Sequence, residues 1–344
     1  MSVGIGIGLF TGQLPPGSGR TFTREYHDIV ELSRLAETLG FDSVWVSEHH
    51  GSSDGYLPSL LPMLAGLATA TERVRLGTGV MLTPFHHPIR LAEDAAVVDQ
   101  LSGGRLVLGL GLGWREEEFR MFGIPIGERV RRTVETVEIL RKAWTGERFD
   151  HEGRVFSLEQ VKVTPPPARE GGPPIYLGGF VENAVRRAGR IGDGYILSRT
   201  TLENAKRTLA WAEDGAREAG RDPATFGFAL LRNAFVWEGG EAWSIARDGV
   251  SHQLGVYPAW AAGADTPGRD FEVHPPDEST LQEVTTAGDP SEVARELRHF
   301  VQAFADRDEF DLVIRLQYPG MDLETAARAV ELFGERVIPS LKGA

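Results

Sequence analysis

Two adjacent histidines follow a short apolar run near the N-terminus, in the sequence Ser47-Glu48-His49-His50. Histidine changes its charge easily near neutral pH, so His49 is a candidate hydrogen-bond donor or general acid/base. The alternative is a histidine that only packs and caps, because the sequence shows no partner for it. Side chains of adjacent residues in an extended strand point to opposite faces, so His49 and His50 are badly placed to bind one metal ion.

A second pair, His86-His87, stands directly before Pro88 at the start of a predicted helix, where a histidine can lie at the surface. Neither pair has the several converging ligands that a metal site requires, so we predict no bound metal. The chain has no cysteine, which removes thiolate metal sites, disulfides and cysteine nucleophiles together.

Two further classes of catalyst lack their reactive group. Schiff-base chemistry needs a lysine in the site, and none of the four lysines lies at a predicted strand end. They are Lys142, Lys162, Lys206 and Lys342. The G-x-S-x-G motif of serine hydrolases is also absent, so the sequence shows no nucleophile for a hydrolase.

Glycine occupies every second position of Gly109-Leu110-Gly111-Leu112-Gly113-Trp114. In a strand this spacing would leave one face without side chains, and a flat ring could lie against that face. The alternative is close packing of a neighbouring strand or helix on the same face. The stretch is not a dinucleotide-binding fingerprint, because the third glycine of that motif would fall at Trp114.

A second glycine-rich segment, Gly178-Gly179-Phe180-Val181, precedes a helix predicted to begin near Asn183. Exposed backbone N–H groups and the helix dipole at such a position favour a phosphate. We therefore predict that Gly178, Gly179, Phe180, Val181 and Asn183 hold a cofactor phosphate. The alternative is an ordinary glycine turn with Asn183 as the helix cap.

An alternation of apolar runs with amphipathic stretches must position these groups. The predicted strands are Gly4–Phe10, Ser43–Ser47, Val74–Leu82, Arg105–Gly109, Ile175–Gly178, Gly194–Leu197, Phe226–Trp237 and Asp311–Gln317. The predicted helices are Thr23–Gly40 with Thr23 as a possible cap, Ser59–Thr71, Pro88–Leu101, Arg131–Trp144, Asn183–Ile191, Leu202–Ala219, Ser291–Phe304 and Leu323–Val337.

Eight such units in 344 residues favour one α/β domain, a closed (β/α)8 TIM barrel, over an open doubly wound sheet. Functional groups of such a barrel lie at the C-terminal ends of the strands. Residues 145–174 and 255–288 are predicted insertions, and the second is predicted to be irregular. Its aromatic residues Tyr257 and Trp260 would cover the site or form a dimer contact.

The chain has 36 basic and 49 acidic residues, for a net charge of −13. This charge repels nucleic-acid phosphates and anionic membrane surfaces, so neither is an expected partner. No basic leader with an apolar core and no long apolar run is visible, and we expect a soluble cytoplasmic protein.

Several longer motifs occur in a fixed order and resemble the luciferase-like monooxygenase family, in particular the bacterial luciferase α subunit. The resemblance is strongest over about 41–123 and weaker beyond. The motifs are Glu48-His49-His50, Gly77-Thr78-Gly79-Val80, and residues 87–94, 99–105, 118–123, 173–179, 192–195 and 315–321.

This resemblance implies a TIM barrel, often dimeric, that binds reduced FMN or the deazaflavin F420. It makes His49 the active-site histidine and places a non-proline cis peptide at Gly79-Val80. The predicted cofactor-binding residues are Glu48, Thr78, Gly79, Val80, Gly111, Gly113, Trp114, Tyr176, Gly178, Gly179, Phe180, Val181 and Asn183.

Two positions depart from the luciferase pattern. Gly111 stands where luciferase has a reactive cysteine beside the flavin, and Leu112 stands where it has an arginine for the flavin phosphate. These differences argue against light emission. Without the arginine, the flavin phosphate would have to bind to the Gly178–Val181 segment and Asn183.

The resemblance favours an oxygenase that acts on paired donors with incorporation of O2, using reduced FMN to oxygenate a small organic substrate. The alternatives are an F420-dependent oxidoreductase that transfers a hydride and a non-catalytic flavin-binding protein; a barrel metalloenzyme is a more distant one. No nicotinamide motif is visible, so free reduced FMN would come from a separate NAD(P)H:flavin reductase. The resemblance also implies a homodimer.

Overall fold

Eight parallel strands close into a barrel in the computed structural model, which describes residues 3–198, 200–263 and 273–343. β10 pairs with both β9 and β12, and β12 pairs with β1, so the ring is complete. The strands are β1 Gly4–Phe10, β2 Ser43–Val46, β3 Arg75–Thr78, β4 Met81–Leu82, β5 Leu106–Gly111, β6 Phe149–Glu152, β7 Ser157–Val161, β8 Ile175–Gly178, β9 Gly194–Ser198, β10 Gly227–Val236, β11 Thr285–Gly288 and β12 Phe310–Arg315. The predicted TIM barrel is confirmed.

Helices cover the outside of this barrel. They are α1 Phe22–Thr38, α2 Leu60–Ala70, α3 Pro88–Ser102, α4 Glu116–Met121, α5 Arg129–Ala143, α6 Glu182–Ile191, α7 Leu202–Glu218, α8 Ala242–Ala261, α9 Glu278–Glu283, α10 Pro290–Ala303, α11 Leu323–Leu332 and α12 Ile338–Lys342. None of the helices in the described ranges is both long enough and apolar enough to cross a membrane.

The strands are apolar on both faces because each face packs against a different layer. Alternate residues fill the inside of the barrel, among them Trp45, Tyr176, Leu231 and Val313. The residues between them point outward and pack against the helices, as Leu230 does. This double burial explains why the strands read as continuous apolar runs in the sequence.

The predicted strand Val74–Leu82 is wrong as a single element, since β3 ends at Thr78 and β4 begins at Met81. The peptide bond between Gly79 and Val80, in the gap, is cis, as the family resemblance implies. The predicted glycine face beside it is also only partly right. A side chain at Gly109 would overlap the carbonyl oxygen of Thr78, so close packing explains that glycine. Gly113 has a φ of +68° and lies beyond the end of β5.

Residues 255–288 are less irregular than predicted. α8 continues through residue 261, with Pro258 in its last turn, and α9 and β11 occupy 278–288. Residues 264–272 lie outside the described part of the chain. In the other predicted insertion, β6 and β7 form an antiparallel hairpin. The cap of α1 is Thr21, whose side chain accepts from the N–H of Arg24, and not Thr23.

A buried carboxylate ties α8 to the barrel mouth. Asp54 accepts hydrogen bonds from Gln13 Nε2 at 2.7 Å and from His252 Nε2 at 2.9 Å. Burial alone would raise the pKa of Asp54, but hydrogen bonds from His252, Ser52 and Gln13 outweigh burial and lower it. An ionised carboxylate without these partners would be strongly unfavourable here, so the contact fixes α8 over the end of the barrel.

Glycine at position 109 is required by packing, and a substitution tests this. We expect Gly109→Ala to lower the free energy of unfolding by about 1–3 kcal/mol or more, because its Cβ would overlap backbone and Ile196. Urea denaturation measures the change. Gly66→Ala is the matched control, since nothing lies within 4 Å of its Cβ in α2, and it should stabilise by about 0.5–1 kcal/mol. Equal stability of the two variants would contradict the packing argument.

Candidate functional site

A cavity of about 440 Å³ opens at the C-terminal ends of the barrel strands. It collects the strand-end segments that the sequence singled out, although they are distant along the chain. The predicted residues that line it are Glu48, His49, Gly79, Val80, Gly111, Gly113, Trp114, Gly178, Gly179, Phe180 and Val181. Since these residues come from the ends of four different strands, the closed barrel is what brings them together.

Three predicted cofactor-binding residues do not line this cavity. Thr78 is buried and donates through Oγ1 to the carbonyl oxygen of Gly109. Tyr176 fills the barrel interior, and its hydroxyl donates to Glu309 at 3.1 Å. Asn183 lies inside α6, which begins at Glu182, and the residue at the cap position is Val181. Thr78 and Tyr176 thus make contacts within the barrel, and the alternative of Asn183 as an ordinary helix cap is wrong.

The His49 side chain has a partner that sequence reasoning did not find. Its Nδ1 lies 2.8 Å from Oε1 of Glu118, a fully buried carboxylate of α4 that also accepts from the backbone N–H of His50. A carboxylate at Nδ1 fixes the orientation of the ring and favours the tautomer that carries hydrogen on Nδ1. The other nitrogen, Nε2, is then the atom with which His49 can accept or donate a proton at the cavity.

Glu48, the neighbouring residue, joins the two histidine pairs of the sequence. Its Oε1 lies 2.6 Å from Nε2 of His50 and 3.2 Å from Nε2 of His86, and its Oε2 accepts from the N–H of Leu82. Burial alone would raise the pKa of Glu48, but the bonds from His50 and His86 outweigh burial and lower it to about 2. Of the pair before Pro88, His87 is exposed at the surface, and His86 is partly buried with its ring against this carboxylate.

Histidines of these pairs do not form a metal centre. His50 and His86 converge on a carboxylate, whereas His49 turns to Glu118. Within residues 3–198, 200–263 and 273–343, no group of three or more histidines, aspartates and glutamates has a geometry that could hold an ion.

Three aromatic rings pack against the ring of His49. Its ring centroid lies 4.6 Å from Trp260, 4.9 Å from Tyr56 and 5.7 Å from Tyr257. Tyr257 and Trp260 belong to α8 and are not the loop aromatics that the sequence suggested. Because Asp54 holds α8 in place, these rings form a fixed cover that limits the access of water to His49.

One end of the cavity has the properties of an anion site. Gly178, Gly179, Phe180 and Val181 lead into α6, whose N-terminus has no side-chain cap, and backbone N–H groups there are suited to an anion. Arg129 also lines the cavity. Arg129 is the first residue of α5 and lies outside the helix Arg131–Trp144 that the sequence analysis predicted.

Strands β9, β10 and β12 and helix α8 contribute polar residues that the sequence analysis did not single out. Asn233 of β10, Arg315 of β12, Ser198 of β9 and Gln253 of α8 all line the cavity. Applying the strand-end rule to the last two barrel strands would have drawn attention to Asn233 and Arg315. Glu118 and Gln253 had no such signal, because their helices bring them to the site only through tertiary packing.

Changing His86 tests the ion pair with Glu48. Burial lowers the pKa of His86, but the bond to Glu48 outweighs it and raises the pKa. The pair therefore stabilises the fold fully below the pKa of a free histidine and less as pH rises through the folded pKa. We expect His86→Gln to lower the free energy of unfolding by roughly 1 kcal/mol at about pH 5.5 and by much less at about pH 9, in urea denaturation.

The control for this measurement is His27→Gln, at an exposed position of α1, where the change should be within about 0.5 kcal/mol at both pH values. An equal loss of stability at both pH values in His86→Gln would mean that the pair contributes no titratable energy.

Known proteins resemble this chain in both sequence and fold. The family model described as luciferase-like monooxygenase matches residues 5–307. An F420-dependent glucose-6-phosphate dehydrogenase of Nakamurella multipartita is 29% identical over 92% of each chain. The oxygenase component of a flavin-dependent trigonelline monooxygenase of Acinetobacter baylyi is 27% identical over 68% of this chain and 66% of the relative.

A solved structure agrees over nearly the whole chain. The monooxygenase RslO1 of Streptomyces bottropensis superposes with a TM-score of 0.83 and 28% identity, over 98% of this chain and 99% of the other. The family match, the relatives and the superposed structure all point to the same family. The chain belongs to the luciferase-like monooxygenase family of flavin- and F420-dependent oxidoreductases.

Proposed function

We propose that this protein is a monooxygenase that uses reduced FMN and O2 to oxygenate a small organic substrate. The observation that carries the proposal is a cavity lined by Arg129, by the uncapped start of α6 and by His49, since the first two are suited to an anion. The RslO1 relative, a monooxygenase by name, matches over nearly all of the chain and supports the same reading.

The residues of the cavity fit a flavin. Its volume of about 440 Å³ falls within the roughly 300–1,000 Å³ that is usual for cofactor sites. Val80, Leu82 and Leu112 give an apolar wall for a flat ring, and a side chain at Gly111 would overlap Val80 at this wall. Bound reduced FMN would supply the electrons that activate O2 for transfer of one oxygen atom to the substrate.

The chain's own residues would bind the cofactor, orient His49 and exclude water. Arg129 and the backbone N–H groups at the start of α6 would hold the phosphate, since both attract an anion. Glu118 orients His49, and Nε2 of His49 moves a proton to or from the reacting groups. The ionised Glu48 accepts from His50 and His86 and keeps the adjacent loop in place. Tyr257 covers the cavity and excludes water.

The second candidate function is hydride transfer with F420, supported by the Nakamurella relative. F420 carries a longer chain with several negative charges, which calls for more cations at the cavity mouth. Among the described residues, the exposed ones that line the cavity are Trp114, Phe180 and Val181, which are apolar. This composition favours the single phosphate of FMN.

A separate flavin reductase is the expected partner if the cofactor arrives as free reduced FMN. The Acinetobacter relative is by name an oxygenase component, and this supports a two-component system. A homodimer is the expected assembly, as the family resemblance implies.

The phosphate site can be tested by comparing FMN with riboflavin, which lacks the phosphate. We expect Arg129→Met to weaken FMN binding about 10- to 100-fold and to leave riboflavin binding unchanged, because only FMN loses a charge-assisted hydrogen bond. Fluorescence titration under anaerobic conditions, with oxidised and reduced cofactor, gives both constants.

Arg131→Met is the matched control, since Arg131 is exposed on the same helix and its loss changes the net charge equally. A parallel titration with F420 decides between the two cofactors. Tight F420 binding without O2 uptake, together with weak FMN binding, would replace the oxygenase proposal by hydride transfer.

The role of His49 can be tested without knowing the substrate. His49→Asn keeps an amide that can donate to Glu118 but removes the second ring nitrogen, Nε2. We expect stopped-flow reoxidation of bound reduced FMN by O2 to slow about 100-fold or more, because a positioned proton donor or acceptor is lost. A variant with the wild-type rate would remove His49 from the chemistry.

A further inference from the structure

The residues that line the cavity include a buried amide donor and a buried amide acceptor that have no hydrogen-bond partner among the described residues. They are Nδ2 of Asn233, a donor, and Oε1 of Gln253, an acceptor. The exposed fractions of the two residues are 8% and 4%. Buried polar groups in folded proteins are nearly always paired. An unpaired donor and an unpaired acceptor on two residues that line one cavity therefore point to a ligand that supplies both partners.

The position of Asn233 identifies which wall of the cavity this ligand would touch. Asn233 is in register with Arg315 on the neighbouring strand, two residues beyond Leu231, which pairs with Val313. Leu231 and Val313 fill the barrel interior, so Asn233 and Arg315 form the next layer toward the mouth. We call Asn233, Arg315 and Gln253 the polar wall.

The polar wall faces the apolar side of the cavity. β10 and β12 are the seventh and eighth strands around the ring, whereas Val80 follows the third and Gly111 ends the fourth. In an eight-stranded barrel the seventh and eighth strands lie across from the third and fourth. If the flat ring of the cofactor lies against Val80, the polar wall can contact a second molecule, the substrate.

The chemistry of the polar wall selects a functional group. A ketone, ether or carboxylate only accepts hydrogen bonds and would leave Oε1 of Gln253 unpaired. An ammonium group only donates and would leave Nδ2 of Asn233 unpaired. A hydroxyl accepts from Asn233 and donates to Gln253, so it satisfies both atoms.

The rest of the substrate would meet flat aromatic surfaces. Trp114 and Tyr257 line the same cavity with ring centroids 6.5 Å apart and planes inclined by 24°. Such rings favour a planar, apolar body. We propose that the polar wall binds the hydroxyl of a phenolic or enolic substrate with a flat body. This inference rests on the proposed function and names the substrate class for it.

The test uses 2-naphthol, with naphthalene as the analogue that lacks the hydroxyl, in equilibrium dialysis against the protein loaded with oxidised FMN. Asn233→Leu and Gln253→Met remove one polar partner each at nearly constant shape. We expect each variant to weaken 2-naphthol binding about 3- to 10-fold relative to naphthalene. The melting temperature should stay equal or rise, because each change removes an unpaired buried polar group.

Gln13→Met is the matched control, since Gln13 is an equally buried glutamine that donates to Asp54 outside the cavity. It should lower the melting temperature without changing the preference for 2-naphthol over naphthalene. The proposal is overturned if Asn233→Leu and Gln253→Met weaken both ligands equally or neither, or if they lower the melting temperature as Gln13→Met does.

Failure of the proposed function has a different signature. If wild-type protein does not bind FMN, the oxygenase proposal fails, and the same dialysis with cofactor-free protein still measures the naphthol preference and its loss in the variants. Wild-type protein that binds FMN but shows no preference for 2-naphthol over naphthalene would contradict the polar wall alone.

Discussion

Three buried carboxylates hold the mouth of this barrel in its shape. Glu48, Asp54 and Glu118 are each about 1% exposed, and each accepts a hydrogen bond from at least one histidine. A buried carboxylate is tolerated only with close donors, so each of these pairs fixes two segments relative to each other. Together they set the positions of α4, α8 and the loops that follow β2 and β4, and therefore the cavity itself.

The site built on these contacts has two dissimilar sides. One side is apolar, formed by Val80, Leu82 and Leu112, and the other is the polar wall. His49 also lines the cavity, with one ring nitrogen held by Glu118. In the proposed function, cofactor contact, proton movement and substrate recognition would fall on different strands. The fold could thus keep its cofactor chemistry while the substrate side varies.

The architecture was readable from the sequence because strands buried on both faces are apolar throughout and the helices between them are amphipathic. The errors lie where tertiary contacts override local preference. Gly255 and Pro258 argued against a helix, yet α8 continues through both, held by the bond between His252 and Asp54. The third predicted strand, Val74–Leu82, includes Gly79, but the backbone leaves the sheet there, between β3 and β4.

The sequence by itself determined the barrel, the family and the strand-end residues that line the cavity, including His49, Glu48 and Gly178, because these follow from local periodicity and from motifs in a fixed order. Only the tertiary structure decided the partners. Glu118 lies 69 residues from His49 and His252 lies 198 residues from Asp54. Hydrogen bonds between distant segments leave no periodic signal, since they depend on how the helices close over the barrel and not on spacing along the chain.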